Sequence, residues 1–419
     1  MSDVHRVLLK AQRLLDGSGG PPVEKAALLI EDSRIMAVGR QEDVNVAGGA
    51  DVAEFDYGDA TILPGLVDAH THLVAPGNGT PGDDLAQAGD DVLLMQAARN
   101  ARAALLAGVT TLRDNGAKNR VAFSLRECVE RGLTAAPRLN LCGRPITITG
   151  GHMWYFGAEA DGEDGVRIEV RKLIKEGADY IKIVATGGST RSSYRFLPAF
   201  TIEELKAITD EARKFRKLTA AHCACSQGIS DCLDAGVDMI IHCEFRDPDG
   251  RYLFNKDLAE RIIEADAWVN PTIHIAKSGI IKLEEERGLK GTLTKEEEQK
   301  LDDRKKQLEN QLETTRRLLE MGAKVIAGSD SPWMDYTPGG FAHEIQAMAD
   351  AGMTNGEAIV AGTSDAAKAI GLGSEAGSLI AGAPADVFVV NGDPLTDLKA
   401  LWNVRDIYKD GLRVRREAM

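Results

Sequence analysis

No apolar run in this chain reaches the length of a bilayer span. There is no surplus of positive charge either: 50 lysines and arginines are outweighed by 64 aspartates and glutamates, for a formal net charge of −14. With no basic field to offset phosphate repulsion, neither nucleic acid nor an anionic membrane is an expected partner. The six cysteines (Cys128, Cys142, Cys223, Cys225, Cys232 and Cys243) include no Cys-x-x-Cys pair, and they read as buried thiols, not disulfides. Residues 1–16 lack the apolar core and small-residue cleavage site of a signal peptide, so the cytoplasm is the expected location. No internal repeat, low-complexity tract or linker stands out.

What is present is a chain of 419 residues, 43% hydrophobic and 27% charged, the balance of an ordinary globular protein with a large core. Its two ends are β-rich. Ala27-Leu28-Leu29-Ile30-Glu31-Asp32-Ser33-Arg34-Ile35-Met36-Ala37-Val38-Gly39 reads as strand, polar turn, strand. Near the other end, Gly382-Ala383-Pro384 leads into Ala385-Asp386-Val387-Phe388-Val389-Val390. Residues 1–60 and 371–419 are expected to meet in one small β-sandwich domain built from both termini.

The middle, 61–370, alternates short apolar β-type runs with helical patterns. Eight candidate strands fall at 61–72, 108–115, 138–147, 180–186, 218–223, 239–244, 268–273 and 324–331. Helical stretches such as 92–106, 117–131, 166–175 and 202–216 lie between them, and Thr201 with Glu204 predicts a capping box. Strand–helix alternation of this kind predicts a parallel sheet, and eight repeats match a (β/α)8 TIM barrel, whose chemistry sits at the C-terminal strand ends. The charged stretch 282–319, with leucines at helical spacing, is expected as one or two long helices on the outside of the barrel.

Polar residues of ligand chemistry recur at the predicted strand ends. The first strand closes in His70-Thr71-His72, whose i, i+2 spacing puts both imidazoles on one face. The fourth carries Lys182, the fifth ends at His222, the sixth at His242 and the eighth at Asp330. A lone strand-end histidine is more often a hydrogen-bonded core residue, and an aspartate there can merely cap a helix. Together, at one rim, they fit a divalent-metal site. A lysine in an apolar strand has its pKa pushed toward neutrality. A neutral amine can take up carbon dioxide as a carbamate, a two-oxygen anion able to bridge two metals. The alternative for Lys182 is a carboxylate partner or a side chain reaching to the rim.

This pattern resembles the amidohydrolase superfamily of metal-dependent hydrolases. The residues that carry the resemblance are Ile35-Met36-Ala37-Val38-Gly39, Pro64-Gly65-Leu66-Val67-Asp68-Ala69-His70-Thr71-His72 and Gly382-Ala383-Pro384-Ala385-Asp386-Val387. It is closest to the branch of imidazolonepropionase-like sequences and zinc-dependent prolidases and carboxypeptidases, through Gly150-Gly151-His152 and Lys182 with Gly187-Gly188. After the fifth strand the sequence departs from that branch: relatives show His-Ala-His or His-Ala-Tyr where this chain has His222-Cys223-Ala224-Cys225. The resemblance implies a homo-oligomer as well, although no interface is visible in the sequence.

The resemblance implies two divalent ions, zinc foremost. His70 and His72 would bind the buried ion, His222 and His242 the exposed one, with carboxylated Lys182 between them and Asp330 as buried-metal ligand and proton shuttle. Such a pair of ions lowers the pKa of a shared water from about 16 toward 7, and the resulting hydroxide would attack an amide carbonyl. His152 is the candidate donor to the developing oxyanion, or else a loop hydrogen-bonding residue. Arg191 and Arg195 are candidates for holding a substrate carboxylate, or are surface arginines. Trp154, Tyr155 and Phe156 wall a pocket or pack their loop, with Tyr155 the substrate candidate; His274 and His343 are open in the same way. The expected substrate is a small molecule, a dipeptide or N-acyl amino acid. A cyclic amide is the second reading, and a non-catalytic scaffold the remote one.

Overall fold

A computed structural model describes residues 5–45 and 52–415. Residues 1–4, 46–51 and 416–419, parts of the expected terminal β-domain, lie outside the described residues. In chain order the first strands are β1 (Arg6–Leu14), β2 (Val23–Glu31), β3 (Arg34–Arg40), β4 (Ala53–Asp56) and β5 (Ala60–Pro64). Eight short strands follow, alternating with helices: β6 (Leu66–Thr71), β7 (Val109–Asp114), β8 (Arg138–Leu141), β9 (Ile181–Val184), β10 (Thr219–His222), β11 (Met239–Ile241), β12 (Trp268–Asn270) and β13 (Lys324–Val325). The last are β14 (Val387–Asn391), β15 (Val404–Lys409) and β16 (Leu412–Arg413).

The two ends of the chain share one sheet in the order β16-β15-β14-β5-β1-β2-β3, with β4 paired to β1. Period-2 alternation sorts its side chains. Val7, Leu9 and Ala11 face the same cluster as Leu28, Ile30, Ile62, Val387 and Val389, while Leu8, Ala27 and Leu29 point to the other face with Val44. Each such fully buried leucine or valine stabilises the fold by about 1.5–3 kcal/mol. The predicted hairpin forms as β2 and β3, turning at Asp32, whose φ of 51° suits a short polar side chain. The strands expected as a small sandwich are thus hydrogen-bonded into one continuous sheet.

The run 61–72, expected as one strand, is two. Residues up to Pro64 pair with β14, and from Leu66 onward the chain pairs with β7. The break is at Gly65, where a Cβ would collide with the Thr110 side chain, so only glycine lets the backbone cross from one sheet to the other at this contact. The eight middle strands all pair in parallel, as β6-β7-β8 and as β9-β10-β11-β12-β13. Parallel bridges link the two groups at both edges, Ile146 to Ile183 and Thr71 to Ser331.

Helices cover this sheet as the periodicity predicts. Helix Ile202–Lys214 starts at the Thr201–Glu204 capping box, and its buried face carries Leu205, Ile208 and Ala212. The charged stretch forms two helices, His274–Lys290 and Lys295–Glu320, the second opening on a capping box of Thr294 and Glu297.

Candidate metal centre

Strand β6 is buried along its whole length, so its polar residues must find partners inside the protein. The Asp68 carboxylate accepts the His70 N–H at 3.1 Å, the Ser329 N–H at 2.9 Å and the Ser329 hydroxyl at 2.5 Å, tying β6 to the segment that follows β13. The Asp330 N–H donates to the His70 carbonyl at 2.8 Å and the His72 N–H to the Ser331 carbonyl at 2.9 Å. This lacing brings Asp330 against the His70–His72 pair. Asp330 Oδ1 lies 3.3 Å from His70 Nε2 and 3.6 Å from His72 Nε2. Ligand atoms of the three residues, all buried, fall within 4.8 Å of one another.

His70, His72, Lys182, His222, His242 and Asp330 line one cavity, together with His152, Arg195, Glu244 and Trp333. Each of the four rim histidines is held through one ring nitrogen. His70 Nδ1–H donates to Asn270 Oδ1 at 3.1 Å and His72 Nδ1–H to the Gly116 carbonyl at 3.1 Å. His222 Nε2–H donates to the Gly187 carbonyl at 3.0 Å, and His242 Nδ1 pairs with Thr272 Oγ1 at 2.7 Å. The carbonyl acceptors fix the tautomer of His70, His72 and His222, and all four bonds fix the ring planes, the arrangement of metal-ligating imidazoles. His70 Nε2 is buried with no hydrogen-bond partner.

Electrostatics point the same way. Burial pushes His70, His222 and His242 well below the ordinary histidine pKa, and His72 down to about 3, so the rings are neutral donors of lone pairs. The side chain of Lys182 is buried, and its ammonium makes no hydrogen bond or ion pair among the described residues. Burial lowers its pKa, against the opposing pull of Asp330. His242 and Asp330 both sit in the left-handed region, at φ 64° and 61°. For non-glycine residues that conformation costs about 1–3 kcal/mol and is a mark of functional sites. The orphaned His70 nitrogen, the neutral imidazoles and the nearby carboxylate and lysine form a donor set that fits divalent metal.

The Gly187-Gly188 pair has a steric reason. A Cβ on Gly187 would strike the Tyr194 carbonyl, and one on Gly188 would strike the His152 ring. His152 is thereby seated in the cavity wall, its Nδ1 2.8 Å from Thr190 Oγ1 and its ring centroid 4.9 Å from that of His222. Arg195 reaches the cavity, but its guanidinium donates to Glu244 Oε1 at 2.8 Å. Arg191 does not line the cavity; it is 74% exposed and stands 4.0 Å from Asp84. Tyr155 is buried away from the cavity, edge-on to Phe156 with centroids 5.0 Å apart, because the short helix Trp154–Phe156 packs inward under Gly82–Gln87. His274 and His343 stack on each other at 4.7 Å, outside the lining. All six cysteines are free, and Cys223 Sγ lies 3.6 Å from Cys232 Sγ.

Several residues of the site carry no sequence signal strong enough to single them out. Asn270 ends an apolar strand 200 positions from the histidine it orients. Arg304, Gln307 and Gln311 reach the cavity from helix Lys295–Glu320, which was expected wholly outside. Their i, i+3, i+7 spacing was legible but lost among the charges around it.

A parallel α/β scaffold with a neutral imidazole cluster at its C-terminal strand ends has the donor set of a divalent-metal site. The chain belongs to the amidohydrolase family, whose sequence profile matches residues 61–414. It is a hydrolase of carbon–nitrogen bonds. Across 98% of its length it is 26% identical to the ochratoxinase of Aspergillus niger, covering 87% of that protein, and the ochratoxinase crystal structure superposes with a TM-score of 0.82. The crystal structure of a Xaa-Pro dipeptidase with methionine bound in its active site matches 98% of this chain and 99% of that one, at 27% identity and a TM-score of 0.82. An imidazolonepropionase of Ralstonia nicotianae is 35% identical over 100 residues, 22% of this chain and 23% of that protein.

Proposed function

We propose that the chain is a binuclear metal hydrolase that cleaves the amide bond of a dipeptide or an N-acyl amino acid. The observation that carries this reading is the convergence of His70, His72 and Asp330, whose ligand atoms lie within 4.8 Å in a buried cleft. The eight middle strands close as a (β/α)8 barrel, supported by the bridges at both edges of the parallel groups. The terminal sheet is a second domain, made of residues 1–60 and 371–419 with β5 added to it. His70, His72 and Asp330 would hold one ion and His222 and His242 a second, with Lys182, as its carbamate, completing the donor set. Bound there, the divalent ions, zinc foremost, supply Lewis acidity and bring the pKa of a water down toward about 7.

The chain's own groups do the rest. Asp330 takes the proton of the attacking water and delivers it to the leaving nitrogen. Thr190 Oγ1 accepts the Met153 N–H at 3.1 Å and lies 2.8 Å from His152 Nδ1. With the Thr190 hydroxyl donating to Nδ1, the His152 ring proton sits on Nε2, where it donates to the developing oxyanion. Trp333, Met334, Met153 and Ile275 form the apolar part of the wall and limit access of bulk water. Methionine in the active site of the matched dipeptidase supports an amino-acid product.

The test is a panel of dipeptides, N-acyl amino acids and cyclic amides, assayed with zinc and bicarbonate supplied. Hydrolysis of dipeptides or N-acyl amino acids is expected, abolished by chelation, restored by metal and nearly absent in Lys182→Ala. Opening of a cyclic amide with no turnover of the linear compounds would refute the substrate reading; full activity in Lys182→Ala would refute the bridging lysine.

A further inference from the structure

Helix Lys295–Glu320 follows β12 and turns one face, Arg304, Gln307 and Gln311, toward the cavity of the metal centre. Seven residues of α-helix span about 10 Å, so this face runs along the wall from buried Gln311 to half-buried Arg304. The charges around it are unevenly matched. Glu244 accepts from both Arg195 and Arg246, each at 2.8 Å. Arg304 has no carboxylate within ion-pair distance among the described residues. Its hydrogen bond runs from Nη1 to Gln307 Oε1 at 3.3 Å, which leaves four of the five guanidinium donors unused. The side chain lies over Gly279, where a Cβ would come within 3.4 Å of its Nε. Gln311 donates from Nε2 to the Pro271 carbonyl at 3.4 Å, and its Oε1 is buried without a partner. The wall therefore offers a surplus cation at its outer end and an unused acceptor deeper in.

We propose that Arg304 is the specificity-determining residue that holds the free carboxylate of the substrate, a planar anion that matches the guanidinium fork. The inference rests on the amide-hydrolase reading above. It assigns to Arg304 the role expected of Arg191 and Arg195, because Arg191 stands outside the cavity and the guanidinium of Arg195 is already engaged by Glu244. The enzyme then selects acyl amino acids and peptides with an open C-terminus and rejects the same compounds with that carboxylate blocked as an amide.

The experiment compares kcat/KM on an N-acyl amino acid and on its C-terminal amide, which shares the scissile bond, for native enzyme, Arg304→Met and Arg304→Lys. Methionine keeps the apolar stem and removes the charge. Native enzyme is expected to prefer the carboxylate substrate by about 10- to 100-fold, the range of a charge-assisted hydrogen-bond pair. Arg304→Met should lose that factor on the carboxylate substrate, change less than about threefold on the amide and recover in part as lysine. Equal losses on both substrates, or none on the carboxylate, would overturn the proposal. If metal-replete native enzyme cleaves neither compound, the hydrolytic reading fails and the Arg304 assignment is judged by calorimetric binding of the N-acyl amino acid. Binding at least tenfold weaker in Arg304→Met supports it, and equal binding overturns it.

Discussion

Asn270→Leu tests whether the scaffold prepares His70 for metal. Asn270 is wholly buried; its Oδ1 accepts His70 Nδ1–H at 3.1 Å, and its Nδ2 donates to the Gly328 carbonyl at 3.0 Å. Leucine keeps the volume and removes both bonds. Each lost bond takes away about 1 kcal/mol, and each buried group left without a partner costs about 1–3 kcal/mol. The two stranded groups together predict a stability loss of about 2–6 kcal/mol in the metal-free protein. The His70 ring, free to rotate or change tautomer, should also hold metal about 10- to 100-fold more weakly, the usual effect of removing an outer partner of a ligating histidine. Zinc affinity is measured by competition with a chromogenic chelator, and stability by thermal unfolding of the chelator-treated protein. Asn270→Asp retains an acceptor for Nδ1–H and should stay near the native affinity. Folded Asn270→Leu that binds zinc within threefold of native would show that Asn270 does not position a ligand.

Two further substitutions probe separate parts of the structure. Gly188→Ala forces a methyl group into the space of the His152 ring; turnover should fall about 100- to 1000-fold, as for a lost oxyanion donor, while zinc content stays near native, and unchanged turnover would remove His152 from catalysis. Glu211 is covered by protein and takes ion pairs from Arg171 at 2.6 Å and Lys214 at 3.0 Å; the Arg171 hydrogen bond above all, then that of Lys214, holds its pKa down at about 2. A carboxylate depressed in the folded state contributes stability above its unfolded pKa of about 4.3 and loses it as pH falls toward 2. Glu211→Gln should therefore be less stable than native at pH 7 by about 1 kcal/mol, since its partners are solvent-exposed and screened. That gap should narrow below pH 4.5 in denaturant titrations, and a gap independent of pH would refute the assignment.

Much of this architecture was legible because hydrophobic period is a local property. Runs such as Tyr180-Ile181-Lys182-Ile183-Val184 announce buried parallel strands whatever lies around them, and each of the eight predicted runs contains a strand of the parallel groups. The strand break missed at Gly65 depends on Thr110, a residue 45 positions away that no local pattern displays. The candidate ligands were legible for a related reason: a histidine or lysine at the end of an apolar strand breaks a local rule. Their supporting residues were not. Asn270, Thr272 and Thr190 are unremarkable in composition and acquire meaning only through the rings they contact. Charges mislead most. Arg191 and Arg195 look alike in sequence, yet one stands in solvent and the other is ion-paired with Glu244, while Arg304, in a stretch that reads as a solvated outer helix, faces the cavity.

The pattern of support says how the centre keeps its geometry. No candidate histidine is oriented by its own strand. His70 on β6 is held by Asn270 of β12, and His72 by the carbonyl of Gly116, beyond β7. His222 on β10 is held by the carbonyl of Gly187, beyond β9, and His242 by Thr272, beyond β12. Each ring is therefore a cross-link between two parallel strands as well as a prospective ligand, and its direction depends on their register. A one-residue slip would turn a ligand to the opposite face. The left-handed backbone at His242 and Asp330 persists because neighbouring strands fix those residues from outside, through the Asn270 carbonyl for the His242 N–H at 2.8 Å and the His70 carbonyl for the Asp330 N–H at 2.8 Å. Substitutions in the strand-to-strand lacing, at Asp68 or Ser329, should thus disturb metal affinity although neither residue lines the cavity.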